Sequence, residues 1–124
     1  MTTKRSLEVL QDPHINKGTA FNSSERERLG LRGLLPARSL SIAEQKRSVY
    51  NKYATMKEPL QKYAFLQSLA NRNETLFYDV VRENVVEMAP VLYTPTVGLA
   101  CQNFAKEMRR AKGMYFTAND IGHF

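Results

Sequence analysis

Signals that start and stop helices recur along almost the whole chain, and they restrict it to a mainly α fold. Ser24 with Glu27, and Ser41 with Glu44, have the spacing of a capping box. In that device the first side chain accepts from a free N–H of the opening turn and the acid reaches back to the cap. Gly30 is placed to end the first of these helices, and Pro59 suits the opening turn of another. After Ser41, the residues Ile42, Val49, Tyr50, Tyr53 and Met56 recur at helical spacing. After Pro59, Leu60, Tyr63, Leu66, Leu69 and Ala70 share a face. Asn71 or Asn73 can cap a third helix through "ETLFYDVVRENV", with Leu76, Phe77, Val80 and Val81 as its apolar set. The tyrosines on these faces read as core and rim packing. A short helix is predicted from Ser6 to just before Asp12-Pro13, and a further turn, "VVEMA", runs to Pro90. "HINKGTAFN", flexible at Gly18, and "LRGLLPARS" read as a loop and an irregular connector.

One segment breaks the pattern. "MYFTA" has the β-branched and aromatic content of a strand, yet no second strand is in sight to pair with it. The expected fold is therefore mainly α, with a short β-strand near the C-terminus. The 124 residues suit a single domain with one modest core. A helical unit followed by an orphan strand is expected to be the front part of a longer polypeptide.

At 43% hydrophobic and 24% charged, the chain has enough apolar surface to fold rather than stay disordered. No apolar run reaches the ~18 residues of a membrane span, so no membrane partner is expected. One cysteine, Cys101, excludes an internal disulfide and fits an intracellular setting, cytosol or mitochondrial matrix. His14 and His123 are far apart and belong to no zinc-ligand pattern, so both read as surface or turn residues. The net charge of +6 permits nucleic acid, an anionic surface or small acidic ligands. The basic residues, however, are interleaved with Glu, as in "SSERERLGLR", and the densest group is "KEMRRAKG". A nucleic-acid module would concentrate its charge and interleave exposed aromatics, so no nucleic-acid partner is expected.

The most informative stretch is "YTPTVG". Thr94 reads as an N-cap and Pro95 as the first helical residue, with Leu99, Phe104 and Met108 on an apolar side beyond. Tyr93 would then stand just before the cap, where an apolar residue ordinarily packs on the fourth helical residue. That residue is Gly98, which has no side chain to offer. Val97 stands where the acid of a capping box would be. Gly98 instead leaves room for a close approach to the first turn. A phenol beside free helix N–H groups can donate to an oxygen-rich ligand, or give up a proton and recover it. Packing, with the hydroxyl bonded to nearby backbone, is the other reading.

"VLYTPTVGLACQ" resembles the signature of the malic enzyme amino-terminal region. "DPHINKGTAF", "ERERLGLRGLLP", "NRNETLFY" and "GMYFTANDIGH" resemble the same family in the same order, so the likeness covers residues 12 to 124. The resemblance implies oxidative decarboxylation of malate to pyruvate and carbon dioxide. It also implies NAD or NADP as cofactor, a divalent Mg2+ or Mn2+, and a helical region that helps assemble homodimers and homotetramers. The family's general-acid tyrosine falls on Tyr93. Some animal members bind fumarate through two arginines; one matches Arg72 and the other falls on Ser48. Arg47 is adjacent but points about 100° away on a helix.

The sequence lacks a glycine-rich dinucleotide loop and a compact carboxylate set for a metal. The family's catalytic lysine, substrate arginine and acidic metal ligands lie in later segments, so Lys106 and Lys112 are not assigned those roles. Ile121 replaces a residue that is basic in many members. The chain alone is expected to bind neither cofactor nor metal and to be inactive. The alternative is a non-catalytic helical module that pairs with a full-length malic enzyme.

Overall fold

The computed structural model of the chain describes residues 4–107 and 110–123. The predicted Met108 contribution to an apolar face lies outside these residues. Among them run α1 (Leu7–Gln11), α2 (Ser23–Leu29), α3 (Ile42–Thr55), α4 (Pro59–Arg72), α5 (Glu74–Glu83), α6 (Val85–Leu92), α7 (Thr96–Gln102) and α8 (Phe104–Glu107). Single 3-10 turns form at Gly18–Ala20 and Ala118–Asp120.

Most helix boundaries follow from local chemistry. Ser41 caps α3 as expected: its hydroxyl accepts from Glu44 N–H while the Glu44 carboxylate accepts from Ser41 N–H. Pro59 opens α4, and Asn73 caps α5 by accepting from Leu76 N–H. Gly30 ends α2 in the left-handed region, φ 68°, and Leu31 N–H closes back on the Arg26 carbonyl at 2.8 Å.

Two expected boundaries are corrected. The box that starts α2 is Asn22 with Glu25, not Ser24 with Glu27; Ser24 lies inside the first turn and Glu27 pairs with Arg32. And α6 does not stop at Pro90 but runs through it to Leu92. The hydrogen bond lost there would have reached the carbonyl of Val86, a residue 89% exposed.

The main core joins α3 to α6. Tyr53, Leu66, Leu69, Phe77, Val80, Met88 and Val91 are buried in one cluster, with Val49, Tyr50 and Tyr63 packed against it. Ile42, expected on the same face, is exposed. Polar ties brace the cluster from outside: Lys46 pairs with Glu83, and Tyr50 Oη donates to Glu87 Oε2 at 2.9 Å.

Tyr53 is completely buried, and its hydroxyl has no hydrogen-bond partner among the described residues. Such a group carries its desolvation cost uncompensated. Tyr53→Phe is therefore expected to stabilise the chain by ~1 kcal/mol, read as a higher urea midpoint at unchanged slope. A lower midpoint would mean that the hydroxyl has found a partner.

A second, smaller cluster forms at the front of the chain from Val9, Phe21 and Leu31. It is organised around Arg26, which is only 8% exposed although it sits in a run of charged residues. Its Nε donates to the Phe21 carbonyl at 2.8 Å, its Nη1 to Pro36 at 2.7 Å and its Nη2 to Thr19 at 3.2 Å. One guanidinium thus ties the 3-10 turn and the irregular 31–40 connector to α2.

The two clusters share no buried side chain. They meet through polar groups. Glu74 N–H donates to the Pro13 carbonyl at 2.9 Å, Asn16 Nδ2 to Arg72 at 2.7 Å, and Gln45 Nε2 to Lys17 at 3.0 Å. His14 Nδ1 lies 2.9 Å from Glu74 Oε2.

The strand expected at "MYFTA" does not form, and no strand exists among the described residues. Met114, Tyr115 and Phe116 are 60% exposed or more. A lone extended segment has no ladder to join, and the chain passes instead into a capped 3-10 turn. Thr117 and Asp120 form its reciprocal box.

Four of the described carboxyl groups are held below their ordinary range. The Lys17 ammonium and the Asn22 N–H lower Glu25, and the Ser41 N–H and hydroxyl lower Glu44. The Lys4 ammonium and the His14 N–H lower Asp12, and the Thr117 hydroxyl and N–H lower Asp120. A depressed folded-state pKa adds stability above the unfolded value and loses it as pH falls through the folded one. The urea midpoint should thus hold steady down to the ordinary glutamate and aspartate values, 4.5 and 3.8, and fall below them. Glu44→Gln should remove part of that acid slope. A midpoint that rises on acidification would contradict this.

Candidate functional site

Tyr93 stands at the joint between α6 and α7, with its backbone engaged on both sides. Its N–H donates to the Ala89 carbonyl at 2.9 Å, and its own carbonyl accepts from Val97 N–H at 2.8 Å. With both backbone groups fixed, the side chain projects outward and is 71% exposed. It is therefore not a core tyrosine. The Thr94–Pro95 peptide bond is cis.

The expected cap is corrected here. Helix α7 starts at Thr96, and Pro95 rather than Thr94 occupies the cap position, with no side-chain cap. Two first-turn donors are satisfied by backbone instead: Val97 N–H by Tyr93 and Gly98 N–H by Pro95, at 2.8 and 3.2 Å. With those donors committed and only seven residues in α7, the helix end offers the phenol less than the sequence promised.

The open approach beside Gly98 is present. A Cβ added there would meet no atom within 4 Å. Gly98→Ala is accordingly expected to stabilise this chain by ~0.5–1 kcal/mol, measured by urea denaturation. The same change in a complete enzyme should lower turnover if reacting groups approach this turn. Unaltered kinetics would show that the space has no use.

Arg72 and Ser48 come together as walls of one cavity of about 300 Å³, with Asn16 and Gln45 beside them. Arg47 lines a different cavity, with Lys46, Tyr50 and Glu83, as its offset on α3 requires. Arg72 forms no ion pair among the described residues. Ser48, which shares this cavity, brings a hydroxyl and not a second cation.

A larger cavity, about 750 Å³, lies between α4, α7 and residues 110–115. Tyr93 is not among its lining residues. Sequence reasoning missed this cavity. The signal was the pair of small residues Ala64 and Ser68, one turn apart beside Tyr63.

A family profile described as "Malic enzyme, N-terminal domain" matches residues 70–124. Across 98% of its length the chain is 46% identical to the hydrogenosomal malic enzyme of Neocallimastix frontalis, of which it covers 21%. It is 48% identical to the NADP-dependent malic enzyme of Dictyostelium discoideum over 93% of the chain and 21% of that protein. The figures for the mitochondrial NAD-dependent malic enzyme of Ascaris suum are 48%, 94% and 18%. The chain belongs to the malic enzyme family. It spans about a fifth of the length of the curated relatives it matches.

Malic enzymes named for NAD and for NADP both occur among these relatives. The glycines of this malic enzyme segment never fall in the close-spaced pattern that cradles a pyrophosphate. Among the described residues, no three His, Cys, Asp or Glu side chains gather as a metal ion requires. No described helix is long and apolar enough to cross a membrane.

Proposed function

We propose that residues 1–124 form a single helical domain at the amino-terminal side of a malic enzyme. That enzyme converts malate to pyruvate and carbon dioxide with NAD or NADP and Mg2+ or Mn2+, in the cytosol or an organelle. Tyr93 is its general acid. After loss of carbon dioxide, the phenolic O–H bond breaks and a C–H bond forms at the enol carbon of pyruvate. The phenolate left behind takes up a proton to restore the group. The cofactor and metal are held by polypeptide outside this chain, which is inactive alone.

One observation carries this reading: the tyrosine of "YTPTVG" is exposed, with both of its backbone groups anchored. A chimera tests it. The corresponding fifth of the Dictyostelium discoideum NADP-dependent relative is exchanged for this chain, and malate-dependent reduction of NADP is followed. Turnover is expected in the chimera and not in the isolated chain. A folded chimera without turnover, or turnover by the chain alone, overturns the proposal.

The domain also supplies subunit surface. Tyr78, Val85, Val86 and Leu99 are all more than 45% exposed, which favours a partner subunit over a solvated face. This supports the second reading as well, a non-catalytic module that pairs with a complete malic enzyme. Co-purification with one, without rescue of a Tyr93 variant, would favour it. With Arg72 sharing its cavity with Ser48 rather than with a second arginine, fumarate activation is not expected.

A further inference from the structure

The geometry points to a binding site for a small aromatic anion in the 750 Å³ cavity between α4, α7 and residues 110–115. Its volume is that of a small-molecule pocket, within the usual ~300–1,000 Å³. Tyr63, Phe104 and Tyr115 supply aromatic walls, and the Phe104 and Tyr115 rings lie 5.7 Å apart at 38°. Ala64 and Ala100 keep the floor shallow, so that a planar ring has room against them.

The polar lining gives the head-group chemistry. Arg110 and Lys112 both face the cavity, and neither forms an ion pair among the described residues. Among the described residues, no aspartate or glutamate lines it. Two unmatched cations beside an aromatic box select a ring that carries a carboxylate, sulfonate or phosphate. Gln67, Ser68 and Asn71, one face of α4, offer neutral donors and acceptors along the edge. The exposed thiol of Cys101 lies in the same wall and reports on occupancy.

The test uses the full 124-residue chain and 8-anilinonaphthalene-1-sulfonate, an aromatic ring system with one anionic head. Saturable fluorescence with one probe per chain is expected, together with slower modification of Cys101 by a thiol reagent. Arg110→Gln with Lys112→Gln should weaken binding about tenfold. Ala64→Phe should weaken it by filling the floor. The two cations lie outside any helix and are exposed, so the double variant keeps the test readable if Ala64→Phe does not fold. Fluorescence that does not saturate, or saturates with no response to the double variant and no protection of Cys101, overturns the proposal.

Discussion

Tyr93→Phe, introduced into a complete enzyme that carries this domain, is expected to lower turnover by ~10²–10⁴-fold, the usual loss for a positioned proton donor. The ring is kept, so the loss reads the hydroxyl alone. Folding should scarcely notice. The side chain is 71% exposed, and substitutions at such positions change stability by no more than ~0.5 kcal/mol. The backbone contacts that define the joint between α6 and α7 are independent of the side chain. Turnover and the urea midpoint should therefore separate cleanly. Retained turnover with a lowered midpoint would assign Tyr93 to packing and remove the general acid from this chain.

The largest effect on stability is expected from Arg26→Ala, a loss of ~3 kcal/mol or more. Charge-assisted bonds to five carbonyls disappear together, and a largely buried site is left without its donors. For a chain of this size the melting temperature should fall by roughly 10 °C or more. Arg26→Lys should recover less than half, because an ammonium is a point donor and cannot span carbonyls arranged around a planar fork. Calorimetry of the two variants checks both statements. An alanine variant within ~1 kcal/mol of the parent would show that the connector holds its course without the guanidinium.

The helices were legible because their signals are local. A cap, a proline or an apolar stripe acts within one or two turns, and α3, α4 and α5 start where those signals place them. The misplaced start of α2 shows the limit. "NSSERE" contains two overlapping boxes, Asn22 with Glu25 and Ser24 with Glu27, and both satisfy the local rule. Burial of Phe21 beside Val9 and Leu31 decides between them, since the helix must begin directly after it. That is a tertiary fact.

Arg26 was illegible for the same reason. In a charged run it looks like solvated surface, and its partners are backbone carbonyls brought in by folding. At the site, Tyr93 is exposed rather than packed, but the staple argument for it counted from Thr94, and with Pro95 at the cap the fourth helical residue is Leu99, not Gly98. The course of the chain through Thr94 and Pro95 depends on which carbonyls stand opposite Val97 and Gly98, and residue types do not encode that. The strand expected at "MYFTA" rested on intrinsic preference, which does not supply a neighbouring strand.

The joint between the two clusters has a consequence for cooperativity. Side chains that interlock commit their neighbours to fold together. Here the hydrogen bonds that join them run between amides and carbonyls, and the void at the joint is lined by Leu35, Leu69 and Leu76 as well as by Arg72 and Ser48. Residues 4–40, bound to one another by Arg26, are expected to lift like a latch before α3 to α6 open, and anything lodged in that void would act as the bolt.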